Sequence, residues 1–123
     1  MNSFILVLLG GGLGSGSRYV ISTLAERRFG SAFAWGTLLV NLAGCLLIGF
    51  AVGIIDKALV PRSLRVFLVS GFLGGFTTFS SFSLESIRMF QNGAVGKGLA
   101  NIGINVVLGL ALTLTGMFAA NRM

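Results

Sequence analysis

Histidine is absent from the 123 residues, cysteine occurs once, at Cys45, and the acids number three: Glu26, Asp56 and Glu85. No Ser-His-Asp triad can be assembled from that set, no His/Cys cluster can hold zinc, and no disulfide can close within one chain. Enzymatic acid–base chemistry has almost nothing to work with. Charge of either sign is scarce as well, at 10% of residues against about 25% in an ordinary soluble domain. Nine basic and three acidic side chains cannot coat a water-soluble globule of this size, so the exterior has to be apolar. The basic excess of +6 does not point to nucleic acid, because the Lys and Arg residues stand singly or in pairs between apolar blocks. They suit loop ends that meet lipid headgroups.

What fills the chain is hydrophobic, 54% of it, in four blocks near the roughly 20 residues that cross about 30 Å of hydrocarbon. The spans are expected at about 4–24, 36–55, 66–90 and 99–120, as one domain over residues 1–123. The expected class is an all-α membrane protein of four transmembrane helices. The third block is too long for one unbroken span, and the only proline, Pro61, marks the turn before it. A cleaved leader does not fit the first block, which lacks a basic start and a clear small-residue cleavage site. Leu42-Ala43-Gly44-Cys45 imitates a lipidation box, yet more apolar residues follow, so Cys45 is read as a small packing residue.

Four spans place Lys57, Arg62, Arg65 and Arg122 on one side and Arg27, Arg28, Arg88 and Lys97 on the other. Four against four leaves the positive-inside rule without a preference. Insertion in both orientations is the expectation, and with it an antiparallel homodimer whose two-fold axis lies in the membrane plane.

Glycine is abundant, at 19 residues. The run Gly10, Gly11, Gly12, Gly14 and Gly16 offers a small face for close helix packing. It also imitates a dinucleotide-binding fingerprint, but no βαβ pattern follows it. The densest cluster is Gly71 to Glu85, where Gly74-Gly75 precedes Phe76-Thr77-Thr78-Phe79-Ser80-Ser81-Phe82-Ser83. A glycine pair at membrane depth followed by hydroxyls predicts a broken helix, and broken helices near the midplane bind ions. Carbonyls at a break suit a cation, and the N-terminus of the next half-helix suits an anion. Phe79 and Phe82 share a helical face, with Phe76 one turn earlier. Such a stripe serves lipid contact or packing, or it lines an anion path with the positive edges of its rings. Asn41, with Thr37 one turn before it, and the stripe Asn101, Asn105 and Gly109 supply polar groups in spans two and four. They fit interhelical hydrogen bonds or a lined path. Arg18 either draws anions into a vestibule or snorkels to headgroups.

Three elements together resemble the Fluc/CrcB family of fluoride channels over nearly the full chain. They are Gly14 to Arg18 and Tyr19, Gly36-Thr37-Leu38-Leu39-Val40-Asn41, and above all Gly74 to Ser83 with Glu85. The resemblance implies a dual-topology homodimer in the cell inner (plasma) membrane, with two fluoride pores and one central sodium ion. It implies backbone carbonyls of Gly74 and Thr77 as sodium ligands, Phe79 and Phe82 as pore rings, and Asn41 as a polar pore residue. Thr37, Ser80, Ser81 and Glu85 would complete the lining. In span four the chain departs from the family, with Gly109 where serine is common and Asn101 and Asn105 where Tyr and Ser or His occur. A small dual-topology multidrug exporter is the competing reading. It would need an embedded acid in span one, where this chain has Arg18. A non-transporting assembly subunit would leave the polar third span unexplained.

Overall fold

The computed structural model describes residues 2–57 and 60–123. Four helical spans long and apolar enough to cross a membrane cover Ser3–Phe29, Trp35–Ile55, Arg62–Gln91 and Val95–Asn121. The first is helix α1 and the second α2. The third divides at residues 77 and 78 into α3, residues 62–76, and α4, Phe79–Gln91. The fourth is α5. No strand occurs among the described residues. Each span starts one to four residues before its sequence-based limit, and all but the second also end one to five residues beyond it, because the hydropathy pattern marks the lipid-facing stretch and not the helix. At the start of α1, Asn2 accepts the Phe4 N–H at 3.0 Å and so satisfies one of the free donors every helix begins with.

Connections of a few residues, 30–34 and 92–94, make α1–α2 and α4–α5 into tight helical hairpins. α3 leans on α1, while α4 leaves that neighbour and packs on the first half of α5; the second half of α5 packs on α2. Missing side chains set the two closest approaches. A Cβ on Gly14 of α1 would overlap the carbonyl oxygen of Phe72, and one on Gly49 of α2 would overlap that of Thr113. In lipid, where apolar surface gains nothing by leaving water, this backbone proximity is what dispersion forces need. Only part of the glycine-rich run takes part: Gly10 and Gly14 face α3, whereas Gly12 and Gly16 face open space.

Two stretches wind more widely than an α-helix: Val66–Leu73 in α3 and Ile104–Leu108 in α5 are π-helical. Nothing in the hydropathy pattern announces them. Each stands beside a functional candidate, the first running into Gly74 and the second containing Asn105, which is where π-bulges concentrate. The interior is thin. Among the described residues Val40 and Asn101 are the largest fully buried side chains, and Leu13, Val107, Leu110, Leu114 and Phe118 lie outward, as expected of helices solvated by acyl chains.

Candidate functional site

The third span breaks two residues later than the glycine pair suggests. Gly74 and Gly75 remain helical, and the extended residues are Thr77 (φ −86°, ψ 158°) and Thr78 (φ −149°, ψ 117°). The reason is local chemistry. Thr77 Oγ1 donates to the Leu73 carbonyl at 3.0 Å and closes α3, while Thr78 Oγ1 accepts the Ser81 N–H at 3.2 Å and opens α4. β-Branched residues tolerate the extended conformation, and a threonine cap meets one of the free donors of a new helix. The backbone groups of Thr78, freed from the helix and buried, are then paired by a side chain from α2. Asn41 Oδ1 accepts the Thr78 N–H at 2.9 Å, and Asn41 Nδ2 donates to the Thr78 carbonyl at 3.1 Å. A carboxamide thus replaces a strand partner for one residue, as a buried backbone in lipid requires.

Beside the break lies an open groove of about 390 Å³ lined by Asn41, Gly74, Thr77, Phe79, Phe82 and Asn105, among others. Phe79 and Phe82 meet at 5.5 Å between ring centroids, tilted by 54°. Phe82 is buried, but Phe79 is 79% exposed and projects from the protomer. The break separates Phe76 from this pair. It is buried and stacked on Phe72 at 5.6 Å, so the three-Phe stripe of the sequence reduces to two rings.

A second cavity, of about 570 Å³, opens between the start of α2 and the α4–α5 hairpin, lined by Trp35, Thr37, Glu85, Arg88 and Lys97, among others. Thr37 Oγ1 donates to Glu85 Oε1 at 2.9 Å, while Glu85 Oε2 is buried without a hydrogen-bond partner among the described residues. Acid, cations and hydroxyl make this space a polar vestibule. Thr37, Glu85, Asn41, Phe79 and Phe82 therefore line two successive spaces. Ser80 is exposed next to Thr78 Oγ1, and Ser81 is half-buried at the α4 cap. Arg18 lines neither cavity. Its Nε donates to the Gly75 carbonyl at 3.1 Å, joined there by Ser15 Oγ at 3.3 Å, so it is a partner for the freed end of α3.

Span four contributes more than the sequence indicates. Asn105 Oδ1 accepts from Asn41 Nδ2 at 3.1 Å, and Asn101, fully buried, donates through Nδ2 to Ser86 Oγ at 2.9 Å. Thr78 belongs to the hydroxyl cluster the sequence marks, but Ser15 and Ser86 are polar partners that sequence reasoning passed over. Ser15 is hidden in a glycine-rich run, and the only signal at Ser86 was its i, i+4 spacing from Phe82, whose carbonyl it bonds at 2.7 Å.

A cation at the break would have to find free carbonyls. Those of Gly75 and Thr78 are taken, but no donor among the described residues reaches the carbonyls of Gly74 or Thr77. Gly74 is exposed and Thr77 half-buried on the open side of the groove. Neutral oxygens of this kind suit a hard monovalent ion. The described residues hold no group of three His, Cys, Asp or Glu that could bind a metal instead.

Residues 5–117 match the family profile described as CrcB-like protein, Camphor Resistance (CrcB). A Rhizobium johnstonii protein named fluoride-specific ion channel FluC is 47% identical over 92% of this chain and 91% of its own. Proteins of the same name from Clostridium perfringens and Rhizobium meliloti are 43% and 45% identical. They align over 91% and 100% of this chain and 88% and 99% of their own. With its broken third span, paired rings and near end-to-end match to these relatives, this four-span chain belongs to the CrcB-like family.

Proposed function

We propose that the protein is a passive, fluoride-selective ion channel, a multi-pass protein of the plasma membrane that lets cytoplasmic fluoride leave the cell. The observation that carries this reading is the groove at the Thr77–Thr78 break, where two tilted phenylalanine rings adjoin amide and hydroxyl groups in an apolar protein. Fluoride is small and holds its water tightly, so a pore must offer donors and positive ring edges along the path. Asn41, Thr37, Ser80 and Ser81, with Phe79 and Phe82, are the residues assigned to it, and Glu85 shapes the vestibule behind them. Arg18 adds positive charge near the end of α3 through its bond to Gly75. The relatives named fluoride-specific ion channel support the choice of ion.

The reading includes an antiparallel homodimer. Phe79, Ser80 and Gly74 are exposed along one side of a groove that a second copy would close, and the even charge on the two ends leaves the chain free to insert either way up. It also includes a structural sodium ion, which the free carbonyls of Gly74 and Thr77 from both copies would hold, cross-linking the two breaks. A membrane potential of 100 mV, negative inside, drives each anion outward by about 2.3 kcal/mol, so no coupled energy source is required.

Liposomes containing only this protein, loaded with fluoride or chloride and read with ion-selective electrodes, test the proposal. Rapid fluoride loss with little chloride loss is expected. Equal loss of both ions, or retention of fluoride, would overturn it, and uptake of cationic drugs would favour an exporter.

A further inference from the structure

Between the break and α4 the polar side chains of α2 and α5 form a hydrogen-bond ladder with one direction. At its far end the Phe82 carbonyl can only accept, so Ser86 Oγ, 2.7 Å away, donates to it. Ser86 Oγ is then the acceptor for Asn101 Nδ2 at 2.9 Å. That turns Asn101 Oδ1 toward Asn105, whose Nδ2 donates to it at 3.1 Å and to the Asn101 carbonyl at 2.8 Å. Asn105 Oδ1 is left facing Asn41 Nδ2 at 3.1 Å. Asn41 therefore turns its oxygen to the Thr78 N–H at 2.9 Å, while its nitrogen serves both Asn105 of α5 and the Thr78 carbonyl at 3.1 Å. Thr78 N–H can only donate, so both fixed ends demand the same orientation of all three amides.

We infer that Asn101 and Asn105 are positioning residues for the pore: together with Ser86 they set which way the Asn41 amide faces and so hold the break in its open, paired form. The inference rests on the channel reading of the groove. Asn101 has no exposed surface and Ser86 is 3% exposed, so neither meets a permeating ion, and their influence must pass through the ladder. Asn101 is buried and Asn41 and Asn105 are half-buried at the groove wall, and each is held to its partners because reversing one would set N–H against N–H and carbonyl against carbonyl. Both protons of Asn41 are occupied, one by Thr78 and one by Asn105. An ion that accepts a hydrogen bond from Asn41 does so in place of Asn105 or the Thr78 carbonyl, and the ladder re-forms once it has passed.

The test uses full-length protein labelled with ¹⁵N at asparagine, with side-chain amide exchange into D₂O followed by NMR beside fluoride efflux from liposomes. In the wild type the amides of Asn41, Asn101 and Asn105 are expected to exchange slowly, and those of exposed Asn2 and Asn92 at once. Ser86→Ala, a loss of one oxygen, and Asn101→Leu, similar in volume, are each expected to speed Asn41 exchange at least tenfold. Each should lower fluoride efflux at least fivefold, with α2 backbone exchange unchanged. Wild-type exchange at Asn41 in both variants, or wild-type efflux beside accelerated exchange, would overturn the inference. If wild-type liposomes retain fluoride, the channel reading fails, and the exchange measurement still decides whether the ladder orients Asn41.

Discussion

Phe82 and Thr78 show how much a single side chain decides in a molecule this apolar. Phe82 is buried at the groove with its ring against Phe79, so Phe82→Ile keeps most of the volume and removes the ring edge. Fluoride efflux is expected to fall at least tenfold while cross-linking still captures a dimer; undiminished efflux would remove the ring-edge argument. Thr78→Val keeps the shape of the cap and deletes its acceptor, leaving the Ser81 N–H without its partner. A loss of about 1 kcal/mol, the usual worth of a cap, is expected in reversible unfolding in detergent. The types and positions of these residues were legible in the sequence. Their partners were not: Asn41 and Thr78 are 37 residues apart, and Arg18 and Gly75 are 57 apart. Periodicity reports which face a residue shares with its neighbours and is silent on what another helix brings to it. Arg18 looked like a vestibule or headgroup residue for that reason, although its nearest need is a freed carbonyl.

Among the helices, α1 and α3 depend on missing side chains. Gly14→Ala would set a methyl group into the Phe72 carbonyl, whereas Gly12→Ala meets open space within the protomer. The first is expected to abolish recovery of folded protein by size-exclusion chromatography and the second to leave it intact. Equal recovery of both would show that α1 and α3 can separate without penalty. The four spans were readable because about 20 apolar residues in succession have few fates other than a membrane. The break was foreseeable but not its position. Glycine pairs suggested Gly74–Gly75, yet a helix ends where competing partners exist, and Asn41 and the two threonine hydroxyls supply them at residues 77 and 78. The π-helical turns left no trace in composition, since they arise from register between packed helices.

For the whole molecule, orientation is governed by a handful of charges. Adding two or three lysines to the 30–34 connection should fix one orientation. Efflux is then expected to collapse in a chain made alone and to return when a chain locked the other way is coexpressed. Full activity in a singly oriented population would exclude the antiparallel pair. Preparing the protein with a large organic cation in place of sodium is expected to weaken the dimer in cross-linking, as two sets of Gly74 and Thr77 carbonyls would face each other uncompensated.

The vestibule beside Trp35, Arg88 and Lys97 sits at one end of the protomer. If the chain pairs upside down with itself, as proposed, each membrane surface would carry one identical mouth, and the assembly would have no front and no back. Its current should not rectify, and a blocker that plugs this funnel should act with equal potency from either compartment, silencing one of two conduits at a time.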